Sequence, residues 1–183
     1  MMPADLRERL RAIKLLVLDV DGVFTNGSLY YGPSGESHKR FHVRDGLGIR
    51  ILQHFGVQIA VISARKSSLV EQRMRDLKIA HWHTGKEDKL EALAEVLASC
   101  GLTLEQTAYL GDDLLDVPVM RKVALALAVA DAHPYTRDAA HHVTSALGGE
   151  GAIREVADAI LDAQLGLATA YEKFLAALTK PSR

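Results

Sequence analysis

Apolar residues gather along the chain into short unbroken runs, and three of these runs stop at polar or acidic residues. Leu15 to Leu18 leads into Asp19 and Asp21, Gln58-Ile-Ala-Val-Ile-Ser63 ends on Ser63 with Arg65 close behind, and Thr107-Ala-Tyr-Leu110 leads into Gly111-Asp112-Asp113. Continuous runs of this length fit central strands of a parallel sheet covered on both faces. Ile79 to His83, Val123 to Val129 and His142 to Thr144 supply shorter strands. Between them the spacing turns helical: Leu47, Ile51, Leu52 and Phe55 before Gly56; a helix opened by Ser68 and Glu71; Lys89, Leu90, Leu93, Val96 and Leu97 after Thr84 and Glu87; and Ala132 to Ala140. Both Ser68 with Glu71 and Thr84 with Glu87 have the spacing of a capping box. The β-α-β-α rhythm predicts an α/β fold, a Rossmann-like three-layer sandwich around a mostly parallel sheet.

Two segments depart from that rhythm. Ser28 to Tyr31 and Glu36 to Val43 flank Gly32-Pro33-Ser34-Gly35, which reads as a β-hairpin inserted over about 27–43, straight after the first strand. There it forms a flap over the first strand's exit, and a lone hairpin needs something to lean on. At the other end, about 151–179, Ile153, Val156, Ala157, Ile160 and Leu161 make one amphipathic stripe, which Tyr171, Phe174, Leu175 and Leu178 continue after Gly166. So apolar a stripe needs its own sheet or a neighbouring subunit to cover. With no repeat or linker, 1–183 reads as one domain with no cap domain.

Composition narrows the function classes. A net charge of −1 from 22 basic and 23 acidic residues gives no electrostatic reason to expect nucleic acid or an anionic membrane. Cys100 is the only cysteine, which rules out an internal disulfide and a thiolate metal cluster within one chain and suits a reducing cytoplasm. The first residues lack the apolar core of a secretory signal, and the longest apolar run, Val123 to Ala130, is far short of the ~20 residues of a membrane-spanning helix. A small-molecule partner stays open.

Asp19 and Asp21 share a strand face and project at the carboxyl end of the sheet, where open α/β folds bind ligands. Two neighbouring carboxylates are costly to desolvate and imply a cation or a shared proton. Asp and Gly are also common turn residues, so this stretch alone equally admits a solvated strand-end turn. Ser63 and Arg65, Lys89, and Asp112, Asp113 and Asp116 then converge on the same crevice.

Taken together, Asp19-Val-Asp-Gly22, Ser63, Lys89 and Gly111-Asp-Asp-Leu-Leu-Asp116 resemble the four motifs of the haloacid dehalogenase superfamily of phosphohydrolases. Asp19 to Thr25, the hairpin, Phe41 to Ile49, Gly111 to Pro118, Ala128 to Ala132 and Gly148 to Glu155 further resemble its capless 3-deoxy-D-manno-octulosonate 8-phosphate phosphatases, over roughly 13–165. The resemblance implies a cytoplasmic phosphatase of a phosphorylated acid sugar, acting in lipopolysaccharide biosynthesis. Asp19 would be the nucleophile and Asp21 the general acid and base, with Ser63 and Lys89 holding the phosphoryl group. Mg²⁺ would sit on Asp19, Asp112 and the main-chain carbonyl of Asp21, with Asp113 and Asp116 orienting metal waters or Lys89. It also implies a homotetramer whose flap and C-terminal segment help close neighbouring sites. Ala64 stands where the family usually has Gly, and the tail after Leu165 is longer than the family's.

For the sugar's carboxylate the candidates are Arg65, Arg44, Lys39, His38 and Arg154. Arg65 leads because it follows Ser63 at the strand exit; Arg44 and Arg154 equally suit ion pairs that hold a loop or a subunit contact. The remaining histidines form no zinc pattern. Competing functions are a phosphatase of a nonulosonate 9-phosphate, a catalytically idle oligomerisation module, and a phosphotransferase that excludes water.

Overall fold

The computed structural model describes residues 3–179. The outermost residues of the expected domain, 1, 2 and 180–183, lie outside that range. The central sheet has six parallel strands, β1 (Leu15–Leu18), β4 (Gln58–Ser63), β5 (His81–Thr84), β6 (Thr107–Gly111), β7 (Leu125–Ala128) and β8 (His142–Val143), in the order β5-β4-β1-β6-β7-β8. After β1 the chain adds strands on one side as far as β5, then crosses back to lay β6 on the other side of β1. The exits of β1 and β6 are therefore the topological switch point, where crossover loops part and leave a crevice. All residues of β1, β6 and β7 are buried, as their unbroken apolar runs require.

Helices cover both faces. On one, α2 (Val43–His54) packs against α7 (Ala152–Leu165), and α1 (Ala4–Ala12) packs against α7 in turn. The sequence did not announce α1, whose buried residues are only Leu6 and Leu10, one turn apart among charged neighbours. α3 (Ser68–Asp76) lies beside α2, where Arg73 and Leu77 approach Gly46. The opposite face carries α4 (Lys89–Cys100) and α5 (Val117–Met120), and α6 (Pro134–Asp138) sits near β7. At Gly166, with φ at +77°, the expected continuation of α7 stops. The chain instead turns back as α8 (Leu167–Leu178), so that Tyr171 meets Arg154 and Asp158, and Phe174 meets His54 edge-on.

The flap forms with shorter arms than expected: β2 (Tyr30–Gly32) pairs antiparallel with β3 (Gly35–His38), and a Thr25–Phe41 bridge closes its base. Neither expected capping box exists. Ser67, not Ser68, precedes α3, and its hydroxyl bonds Glu36 of the flap, while Glu71 accepts from Thr84. The N-cap of α4 is Asp88, whose carboxylate accepts from the N–H groups of Leu90 and Glu91. Side chains that match a local motif were taken by tertiary partners. Capping boxes do form at Thr103 with Gln106 and at Asp113 with Asp116.

Two close contacts fix the turn after β1. A side chain on Gly148 would begin 1.6 Å from the Gly22 carbonyl oxygen, and the Gly149 N–H donates to Val23 O at 2.9 Å. This glycine loop is held by α7, whose first turn donates from Gly151 N and Arg154 N to the buried Asp45 carboxylate of α2.

Candidate active site

Asp19, Asp21, Ser63, Ala64, Arg65, Lys89, Asp112, Asp113, Leu115 and Asp116 line one cleft of about 240 Å³ at the carboxyl ends of β1, β4 and β6. Each sits at or just beyond a strand exit or a helix start, because a parallel sheet delivers its loops to one edge.

Lys89, the first residue of α4, is buried between two acids. Its ammonium donates to Asp19 Oδ1 at 2.8 Å and to Asp116 Oδ1 at 2.6 Å. Asp116 is also fully engaged by the Tyr109 hydroxyl at 2.6 Å and the N–H groups of Asp112 and Asp113 at 2.9 and 3.2 Å. Asp116 thus anchors Lys89 and the loop that carries Asp112. Tyr109 was not anticipated: an aromatic residue within an apolar strand reads as core, and nothing in its sequence neighbours signals that its hydroxyl reaches the site. Burial and the nearby carboxylates push its own pKa well above the ordinary value.

The site is short of positive charge. Burial, followed by the charge of Asp116, raises Asp19 to about 6 in spite of Lys89. Burial, followed by the charge of Asp19, raises Asp112 to about 8. Burial alone would pull Lys89 down, but Asp19 and Asp116 outweigh it and hold the ammonium above its ordinary value. Carboxylate oxygens of Asp19, Asp112 and Asp116 lie within 4.8 Å of one another. Among the described residues the Asp21 carbonyl accepts no backbone hydrogen bond. Hard, underneutralised oxygen donors gathered so closely fit a divalent cation such as Mg²⁺. Asp116, already saturated, is a poorer ligand than Asp19, Asp112 or that carbonyl.

The flap reaches into this assembly. Lys39 pairs with Asp21 and, at 3.1 Å, with Glu36; Tyr31 accepts from Arg65 at 3.1 Å. Ser63 Oγ accepts from Arg65 N at 3.2 Å. The other expected substrate cations stand apart from the cleft. His38 stacks on Tyr30, Arg44 is exposed on the first turn of α2, and Arg154 is occupied by Asp158 at 2.8 Å and Tyr171 at 2.6 Å. Arg154 therefore makes an ion pair of the kind that the sequence offered as its other reading.

Comparison with known proteins points the same way. Residues 77–152 match the haloacid dehalogenase-like hydrolase family. The chain is 49% identical, over 87% of its length and 86% of the relative's, to the 3-deoxy-D-manno-octulosonate 8-phosphate phosphatase KdsC of Yersinia pestis. The crystal structure of a phosphatase of that name from Yersinia pestis superposes with a TM-score of 0.89 at 48% identity, covering 91% of this chain and 90% of the other. A Moraxella catarrhalis phosphatase of the same name, solved with magnesium ion, phosphate ion and a KDO molecule, gives 0.89 at 34% identity, covering 97% of this chain and all of the other.

Proposed function

Because the chain belongs to the 3-deoxy-D-manno-octulosonate 8-phosphate phosphatases of the haloacid dehalogenase superfamily, we propose that it hydrolyses that sugar phosphate to 3-deoxy-D-manno-octulosonate and phosphate. The observation that carries the reading is the buried Asp19–Lys89–Asp116 set beside Asp112 at the switch point of the sheet.

Asp19 attacks phosphorus through the oxygen not held by Lys89, and the bond to the sugar oxygen breaks as an aspartyl-phosphate forms. Asp21 gives its proton to that departing oxygen, then takes one from the water that attacks the phosphoryl-enzyme. Lys89, braced by Asp116, and Ser63 hold the phosphoryl oxygens, so the displacement needs little reorganisation of charge. Asp19, Asp112 and the Asp21 carbonyl would hold Mg²⁺, which when bound supplies the positive charge the site lacks. Asp113 borders the same cleft, placed to orient water. Arg65, whose buried Nε makes no hydrogen bond and which borders the cleft, is the cation for the sugar's carboxylate in this reading. His38, Arg44 and Arg154 would meet a substrate only across a subunit contact.

Assembly into a homotetramer with the flap and C-terminal helices at its contacts belongs to the same proposal. Exposed apolar residues support it: Tyr31 on the flap, Val43 and Leu47 on α2, Leu175 and Leu178 on α8. No helix among the described residues is long and apolar enough to cross a membrane, which suits the cytoplasmic setting proposed with it.

The test is Mg²⁺-dependent phosphate release across sugar phosphates, with light scattering on the same preparation. The expected result is preference for 3-deoxy-D-manno-octulosonate 8-phosphate and a mass of four chains. Equal or better turnover of a nonulosonate 9-phosphate would overturn the substrate, no turnover of any phosphate would favour the idle module, and an active monomer would overturn the assembly.

Metal binding also leaves a thermal signature. In the metal-free protein Asp112 at about 8 and Asp19 at about 6 bind protons more tightly than in the unfolded chain, where carboxyls titrate near 3.8. The folded state therefore holds more protons between those values, and stability falls as pH rises through that window. A bound cation replaces those protons. Mg²⁺ is expected to raise the melting temperature by several degrees at pH 8 and by little at pH 5, read against EDTA controls; a shift independent of pH would place the ion elsewhere.

A further inference from the structure

Resting on the phosphatase reading above, we propose that Lys39 is a positioning residue for Asp21 and not a ligand of the substrate, and that Glu36 fixes Lys39 for that task. A lysine on a flap over an anion site would ordinarily be taken as substrate-binding. Its surroundings assign it otherwise. The Lys39 side chain is only 1% exposed, and its ammonium is shared between Asp21 Oδ1 and Glu36 Oε1, the latter at 3.1 Å. Lys89 is also buried between two acids, but it borders the cleft where the phosphoryl group would lie, whereas Lys39 does not border it and spends its charge on Asp21 and Glu36.

Glu36 is tied down independently. Its Oε2 accepts from the Ser67 hydroxyl at the entrance to α3, and Arg65 Nη2 stands 3.8 Å from its Oε1. The flap is thereby latched to the loop after β4 by a run of contacts, Ser67 to Glu36 to Lys39 to Asp21, with Arg65 to Tyr31 alongside. This is the support an isolated hairpin requires, and the latch ends on the residue that moves the proton.

Asp21 sits in a turn beside Gly22 rather than in a strand, so nothing in its own backbone neighbourhood sets the rotation of its carboxylate. Lys39 takes Oδ1. Oδ2 has Arg65 Nε at 3.7 Å and accepts no hydrogen bond among the described residues. That leaves one oxygen free to give a proton to the departing sugar oxygen and to take one from the attacking water. Arg65, 41% exposed at its side chain and bordering the cleft, remains the cation available to the sugar's carboxylate.

Lys39→Met is expected to lower kcat for the acid-sugar phosphate about 100-fold, as proton transfer from a misplaced group would, with KM changed by less than about twofold. With 4-nitrophenyl phosphate, whose leaving group needs no proton, the burst of nitrophenolate is expected to persist while the steady rate falls. In an Asp21→Asn background the same change is expected to cost less than about twofold, because the group it positions is gone. Glu36→Gln, which keeps the shape and an acceptor for Ser67, is expected to lower kcat about tenfold, and it carries the test if the methionine variant fails to fold. A raised KM with kcat preserved would make Lys39 a substrate ligand and overturn the proposal, as would additive losses with Asp21→Asn. Wild-type failure on the acid sugar, with the burst pattern intact on the aryl phosphate, would overturn the substrate reading and leave Lys39's role standing.

Discussion

Asp19→Asn is expected to lower turnover by at least about 10⁴-fold while leaving the protein folded, because the substitution removes the attacking oxygen and little else. The amide keeps the shape of the carboxylate and an acceptor for Lys89, which still holds Asp116 at 2.6 Å. It also removes a buried charge whose pKa burial and Asp116 had pushed to about 6, so the melting temperature without metal is expected to stay level or rise. Acid-quenched reactions provide the direct measurement. Wild type is expected to carry phosphate on the chain, and the variant none. Full activity in the variant would remove Asp19 from the mechanism.

The largest loss of stability is expected at a residue that never touches substrate. Asp116 is 1% exposed and receives Lys89, the Tyr109 hydroxyl and two backbone N–H groups. Asp116→Ala strands an ammonium, a hydroxyl and two amides in a dry interior. Removing one partner of a buried pair typically costs about 3–5 kcal/mol, which for a chain of this size is a fall of about 10 °C in melting temperature. Lys89 would keep only Asp19, so activity should fall as well, although the nucleophile is untouched. Asp116→Asn restores an acceptor for Lys89 and Tyr109 but turns a donor toward the two N–H groups, and an intermediate loss is expected. Calorimetry that found the alanine variant as stable as wild type would show that the Lys89–Asp116 pair contributes nothing to the fold.

The strands and the acids at their exits were legible because a buried parallel strand must be apolar throughout, so the residue that ends the run stands out. Asp19, Ser63 and Asp112 were found that way. Lys89 needed the family resemblance, since a lysine opening an amphipathic helix looks solvated until Asp19 and Asp116 are seen around it. Glu36 and Tyr109 carried no signal, because what matters about each is a partner 31 or 7 positions away along the chain. The same nonlocality undid the capping boxes: Glu71 of one expected box and Thr84 of the other bond each other, 13 positions apart, and Ser67 and Asp88 stand at the helix starts instead. Gly166 was read as a pause in one helical stripe, whereas its left-handed conformation reverses the chain and lays α8 back along α7.

The approach of Gly148 to Gly22 also fixes an order of assembly. Asp19, Asp21, Ser63, Lys89 and Asp112 have all left the ribosome's synthetic centre 36 residues before Gly148 is added. Until then the turn after β1 lacks the glycine loop that lies against it and the α7 cap on Asp45 that holds the loop in place. Contacts so distant in sequence form late, after the chain between them has been ordered. A nascent chain therefore carries every reactive group well before it carries a shaped site, and phosphatase chemistry waits on the residues from Gly148 to Arg154.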